Sequence, residues 1–211
     1  MVNCDDFGGA MNERFFELKK EKQDRMINAA LKVFSQYGYR HASTDEIVKE
    51  AGISKGLLFH YFESKIGLYA FLYDYATRFV TLELTTYVEK NENGYFELYV
   101  QILTAKAYST GQYPYIFLFL NKADTETDLD ALREISERRD KFRRIMEALR
   151  ERADITIFAP GIDYRKVGEI LDYTIDGLIR KEVSSEGFRT DLFLEEAMDY
   201  VDLIKNVTVT K

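Results

Sequence analysis

Apolar residues recur at three- and four-residue steps through almost the whole chain, and only two prolines, Pro114 and Pro160, interrupt them. That period lays one apolar stripe along a helix and does not suit a pleated strand, where the period is two. The chain therefore reads as all-α, helped by its wealth of Leu, Glu, Lys, Arg and Ala. Its 211 residues suffice for one large domain, or a small one joined to a larger, with a real core. No stretch approaches the roughly 18–20 uninterrupted apolar residues of a membrane span. The N-terminus MVNCDDFGGAMNERFF has no basic start followed by an apolar block. Neither membrane association nor secretion is expected. The single Cys4 has no disulfide partner, which fits a reducing cytoplasm. Residues 1–18 are expected to be a flexible tail, and the closing KNVTVTK to fray.

Local signals cut the N-terminal part into short pieces. Met26, Ile27, Ala30, Leu31, Phe34 and Tyr37 form one stripe of a helix from about Lys20, with Gly38 as its C-terminal stop. Ser43-Thr44-Asp45-Glu46 has the spacing of a capping box and leads into Ile47, Val48 and Ala51, after which Gly52 ends a second helix. Ser54 then caps a third helix of about two turns, Lys55 to Phe62. Two short helices joined by a tight Gly-containing turn make a helix-turn-helix. A long helix follows from Ser64 or Lys65 to near Glu89, and further helices are expected at 95–110, 113–122, 128–153, 163–183 and 190–206, about nine in all. The domains read as 19–67 for the helix-turn-helix and 68–211 for a larger helical body.

The third helix, SKGLLFHYFESK, has the composition of a major-groove reader. Leu58 and Phe62, four residues apart, form an inner pair, leaving Lys55, Gly56, Leu57, His60 and Tyr61 for the outer side. Lys55 can reach a base edge or a phosphate, Gly56 lets a DNA backbone approach, and Leu57 can touch a thymine methyl. Thr44 and Lys65, at the starts of the flanking helices, stand where exposed amides favour phosphate. Charge permits this. The net charge of −7 argues against nonspecific coating of nucleic acid by charge. Residues 12–67, however, hold ten Lys/Arg against eight Asp/Glu, and residues 68–211 nineteen against twenty-six.

The ordered series Ala30-x3-Phe34-x3-Gly38-Tyr39-x2-Ala42-Ser43-Thr44-x2-Ile47-Val48-x2-Ala51-Gly52-Ile53-Ser54-Lys55-Gly56-x-Leu58-Phe59-x-Tyr61-Phe62-x-Ser64-Lys65-x2-Leu68 resembles the DNA-binding domain of the tetracycline-repressor (TetR) family. It runs without a gap, with core, cap, turn and contact positions in order. The resemblance implies phosphate contacts at Ser43 or Thr44, Ser54, Phe59 or Tyr61, and Lys65, and base reading by Lys55, Gly56, Leu57 and His60. Family members usually carry Tyr at the place of Phe59, so here that position offers a van der Waals contact only. The implied architecture is an N-terminal three-helix head joined by a long helix to a ligand-binding and dimerisation domain. The implied partners are double-stranded operator DNA, a second copy of the chain and a small hydrophobic or amphipathic effector, with operator release as the outcome. An alternative gives the C-terminal domain a protein partner and no inducer.

Outside that stretch the residues are less specific. Tyr73, Tyr108, Tyr113, Phe117, Phe142 and Tyr173 are candidates for an effector pocket, and Asp172 and Asp176 are either pocket acids or an exposed helix edge. Ile170, Thr174, Gly177, Leu178, Leu194, Ala197 and Val201 lie on broad stripes that resemble the family's dimer interface, or else pack within the chain. Arg138, Lys141 and Arg144 each follow an acid by four residues, the order of solvated ion pairs rather than a DNA patch. With two histidines and one cysteine, no metal site is expected. No nucleophile with an assigned base and no phosphate loop is seen, so no enzyme and no cofactor are expected.

Overall fold

The computed structural model describes residues 14–184 and 187–210; the expected tail through residue 13, Cys4 included, lies outside the described residues. The helices are α1 (Lys20–His41), α2 (Thr44–Ala51), α3 (Lys55–Phe62), α4 (Lys65–Tyr87), α5 (Tyr95–Gln112), α6 (Ile116–Asp124), α7 (Leu129–Glu151), α8 (Tyr164–Val183) and α9 (Thr190–Thr208). The all-α class and nearly every boundary follow the apolar period and the caps. Among the described residues no helix is long and apolar enough to cross a membrane.

The chain forms two compact units, and α4 and α7 each contribute to both. The first holds the residues up to Phe79 together with Tyr115–Arg143. Here α1 packs on both α2 and α6, and Phe34, Tyr69 and Phe119 meet with ring centroids 5.1–6.3 Å apart. Part of the expected flexible tail belongs to this core: Phe15 is fully buried, with its ring 5.2 Å from those of both Phe62 and Phe71. Burying a Phe is worth about 1.5–3 kcal/mol, which offsets part of the entropy of ordering this segment, and the Gln23 amide adds donation to the Phe16 and Leu18 carbonyls. The expected stop at Gly38 is a kink at φ 68°, after which the helical pattern resumes to His41.

The second unit holds Val80–Pro114 and the residues from Arg144 onward. In it α9 packs on both α5 and α8, with Phe96, Leu171, Ile175, Phe193, Ala197 and Val201 buried. The Arg152 guanidinium donates to the carbonyls of Glu89 and Glu92, at 2.6 and 2.7 Å, and so fixes the turn that follows α4. The last described residues are tied to the body: the Ala159 amide donates to the Thr208 carbonyl, and the Thr210 amide to that of Ile157.

Candidate nucleic-acid interface

Ser43 and Ser54 start α2 and α3 as their residue types dictate. The Ser43 hydroxyl accepts from the Asp45 amide and the Ser54 hydroxyl from the Leu57 amide, each at 3.2 Å. The N-cap bond of Ser43 thus goes to Asp45 and not to Glu46, the capping-box position. Gly52 closes α2 in the left-handed region, φ 64° and ψ 41°, which a side chain would strain. Ile47, Ala51, Leu58 and Phe62 are buried and seat both helices.

The outer face of α3 is open. Lys55, Gly56 and His60 are exposed, with Leu57 and Phe59 half-buried. A Cβ built on Gly56 meets nothing within 4 Å, so nothing in the chain's own packing calls for a glycine there. Glycine in a helix costs about 1 kcal/mol against Ala, and at this position it leaves room on the outward side. Tyr61 departs from expectation. It is only 8% exposed, and its ring lies edge-on to Phe15 at 5.8 Å. The reason is helical: Leu58, Tyr61 and Phe62 stand at i, i+3 and i+4 on one face. Tyr61 therefore packs inward and is not among the residues that α3 presents to solvent.

Two cations are held by protein partners. The Lys55 ammonium sits 2.8 and 3.0 Å from the two carboxylate oxygens of Asp45, bridging α3 to α2. The Lys65 ammonium donates to the Arg40 carbonyl at 3.2 Å and lies 4.7 Å over the Tyr39 ring. Burial pushes its pKa down, and the carboxylates of Asp128 and Glu126 act against that shift. Glu126 also accepts from the Tyr39 amide at 2.7 Å, tying the turn after α6 to the end of α1. Of the other candidates, Ser43 and Ser54 are exposed and Thr44 half-buried. Sequence reasoning missed Phe15, Asp45, Gly67 and Glu126. The Phe15-Phe16 pair was a usable signal, whereas Asp45 and Glu126 act on residues ten and eighty-seven positions away, beyond any local pattern.

The geometry is that of a helix-turn-helix with a free outer face, and residues 26–71 match the family described as bacterial regulatory proteins, tetR family. This segment belongs to the tetR family. The chain is 46% identical over 56 residues to the HTH-type transcriptional regulator YuxN of Bacillus subtilis, a stretch that covers 26% of this chain and 19% of that protein. It is 41% identical over 51 residues to the HTH-type transcriptional activator FasR of Mycolicibacterium smegmatis, covering 24% and 23%. The match thus spans about a fifth of each relative's length. Over 92% of its length the chain is similar in fold to the ketosteroid transcriptional regulator KstR2 of Mycobacterium tuberculosis, with TM-score 0.67, 15% identity and coverage of 97% of that chain. A TetR-family regulator from Chloroflexus aurantiacus gives 0.61, 19%, 94% and 98%.

Outside the tetR-family segment the structure differs from several of the expected placements. Tyr173 is 75% exposed and cannot line an enclosed pocket. Tyr108 is exposed and stacks on Tyr87 at 4.8 Å. Tyr73 and Tyr113 are buried, and Phe117 and Phe142 half-buried. Tyr73, Phe117 and Phe142 belong to the first unit and Tyr108, Tyr113 and Tyr173 to the second. Asp172 accepts from the Tyr99 hydroxyl and from Arg150, and Asp176 pairs with Lys106, so both acids already have partners within the chain. Arg138 pairs with Asp74 on α4 at 3.2 Å, while its other contact along α7 is to the Glu134 carbonyl. Leu178, Ala197 and Val201 are buried in their own chain and cannot form a dimer surface. Ile170 and Gly177 are exposed, and Thr174 and Leu194 half-buried.

Proposed function

We propose that the protein is a sequence-specific DNA-binding transcriptional regulator that acts as a homodimer on a palindromic site. The observation that carries this reading is the outer face of α3, where Lys55, Gly56 and His60 are exposed while Leu58, Tyr61 and Phe62 anchor the helix from behind. Lys55, Gly56, Leu57 and His60 are the proposed base readers, with a van der Waals contact from Phe59. Ser43, Thr44, Ser54 and Lys65 are proposed to hold the phosphates.

The dimer surface is proposed on the outward faces of α8 and α9. Ile170, Tyr173 and Gly177 on one helix, and Tyr200, Leu203 and Val207 on the other, are exposed in the single chain. The effector is proposed to be a small hydrophobic or amphipathic molecule that releases the protein from DNA. It must favour the non-binding arrangement, because equal affinity for both states shifts nothing.

Selection of bound duplexes from a random pool at physiological salt tests the reading. A palindromic consensus is the expected result, and folded protein that enriches nothing would refute it. Lys65→Ala is expected to weaken binding to all sequences alike and to lower the salt slope by about one.

A further inference from the structure

The ion pair between Lys55 and Asp45 joins the two helices of the helix-turn-helix on the side proposed to meet DNA. Both side chains are solvated, with 50% and 72% of the side chain exposed, so the pair is weak as a stabiliser of the fold. Its place matters more. Asp45 is in the first turn of α2, Lys55 opens α3, and Gly56 next to it leaves open space.

We propose that Asp45 is a specificity-determining residue, which acts by holding the Lys55 ammonium toward a base edge and away from the phosphates. This rests on the DNA-binding reading above. An ammonium carries three N–H donors. Asp45 engages it through both oxygens, which leaves a donor for an acceptor such as guanine O6 or N7. On a wrong sequence no such acceptor is in reach. There Lys55 stays neutralised by its own carboxylate, and Asp45 adds like-charge repulsion toward the DNA backbone. Lysine alone is a flexible point charge that would settle on any phosphate. The acid converts it from a general contact into a conditional one.

The test uses the full chain, the duplex enriched by selection, and a scrambled duplex of the same length and composition, each titrated at several salt concentrations. Asp45→Asn keeps the side-chain shape and leaves the Ser43 cap in place, because that cap uses the Asp45 amide. The expected result is about ten-fold tighter binding to the scrambled duplex, with the salt slope steeper by about 0.9, the value for one more neutralised phosphate. The ratio between the two duplexes then falls about ten-fold. Glu46→Gln, which removes an exposed acid from the same turn, is expected to change that ratio less than about two-fold. In a Lys55→Gln background, Asp45→Asn is expected to lose its effect on the ratio.

An unchanged ratio in Asp45→Asn, an equal effect from Glu46→Gln, or an undiminished effect without Lys55 would each overturn the inference while leaving DNA binding intact. Wild-type protein that binds neither duplex, or both equally, overturns sequence-specific binding and this inference together.

Discussion

At the scale of single residues, the join between α3 and α4 is the tightest point of the head. A Cβ on Gly67 would lie 2.3 Å from the Phe62 carbonyl oxygen, so the first turn of α4 abuts the last carbonyl of α3. The Ser64 hydroxyl accepts from the Gly67 amide at 3.1 Å, and Glu63 between the helices takes φ 57°. Gly67→Ala should gain helix propensity and yet destabilise by about 1–3 kcal/mol, because the obstacle is backbone and cannot swing aside. Urea unfolding measures this, and a midpoint equal to or above wild type would show that the join has slack. Ser43, Gly52 and Ser54 were plain in the sequence because a cap or a left-handed turn is satisfied within three residues. The four-residue step from Leu58 picks out Phe62 and passes over Tyr61. The three-residue step puts it on the same buried face.

At the scale of elements, α6 and the start of α7 belong to the same compact unit as the helix-turn-helix, so the body of that unit does not end at residue 67. Glu126 is the connecting group: it accepts from the amides of Tyr39, Thr127 and Asp128. Burial raises its pKa, but those backbone bonds outweigh burial and hold the carboxyl below its usual value. The stability it contributes is therefore complete above the unfolded pKa, and is lost as pH falls through the lower folded value. Glu126→Gln should cost about 1–2 kcal/mol at neutral pH, with the gap from wild type closing as pH falls below the usual carboxylate range. Urea midpoints across pH 2.5–7 check this, on the order of one reading per half unit. A gap that stays constant with pH would assign the cost to shape and not to charge. Arg138 carries the same lesson: it bypasses the Glu134 carboxylate, four residues before it, for Asp74 on another helix.

At the scale of the whole molecule, self-association is expected to use the exposed apolar residues of α8 and α9. Leu203 and Val207 are 59% and 65% exposed, more than a lone chain needs to show water. Leu203→Glu should shift sedimentation from dimer to monomer mass without lowering the helical signal, since Phe193, Ala197 and Val201 on the buried face are untouched. Dimer mass retained in this variant would place the interface elsewhere. The all-helical class, most helix boundaries, both serine caps and the open face of α3 apart from Tyr61 followed from the sequence alone. Period and capping are local, and each needs only residues within a turn of one another. Which partner covers a stripe was decided by the tertiary structure. An apolar stripe is equally content against its own chain or a twin, so only packing could send Ala197 inward and leave Leu203 outside. The partners of Asp45, Arg138 and Glu126 were chosen in the same way, because many equally suitable groups lie far apart in sequence and the fold brings together only one set.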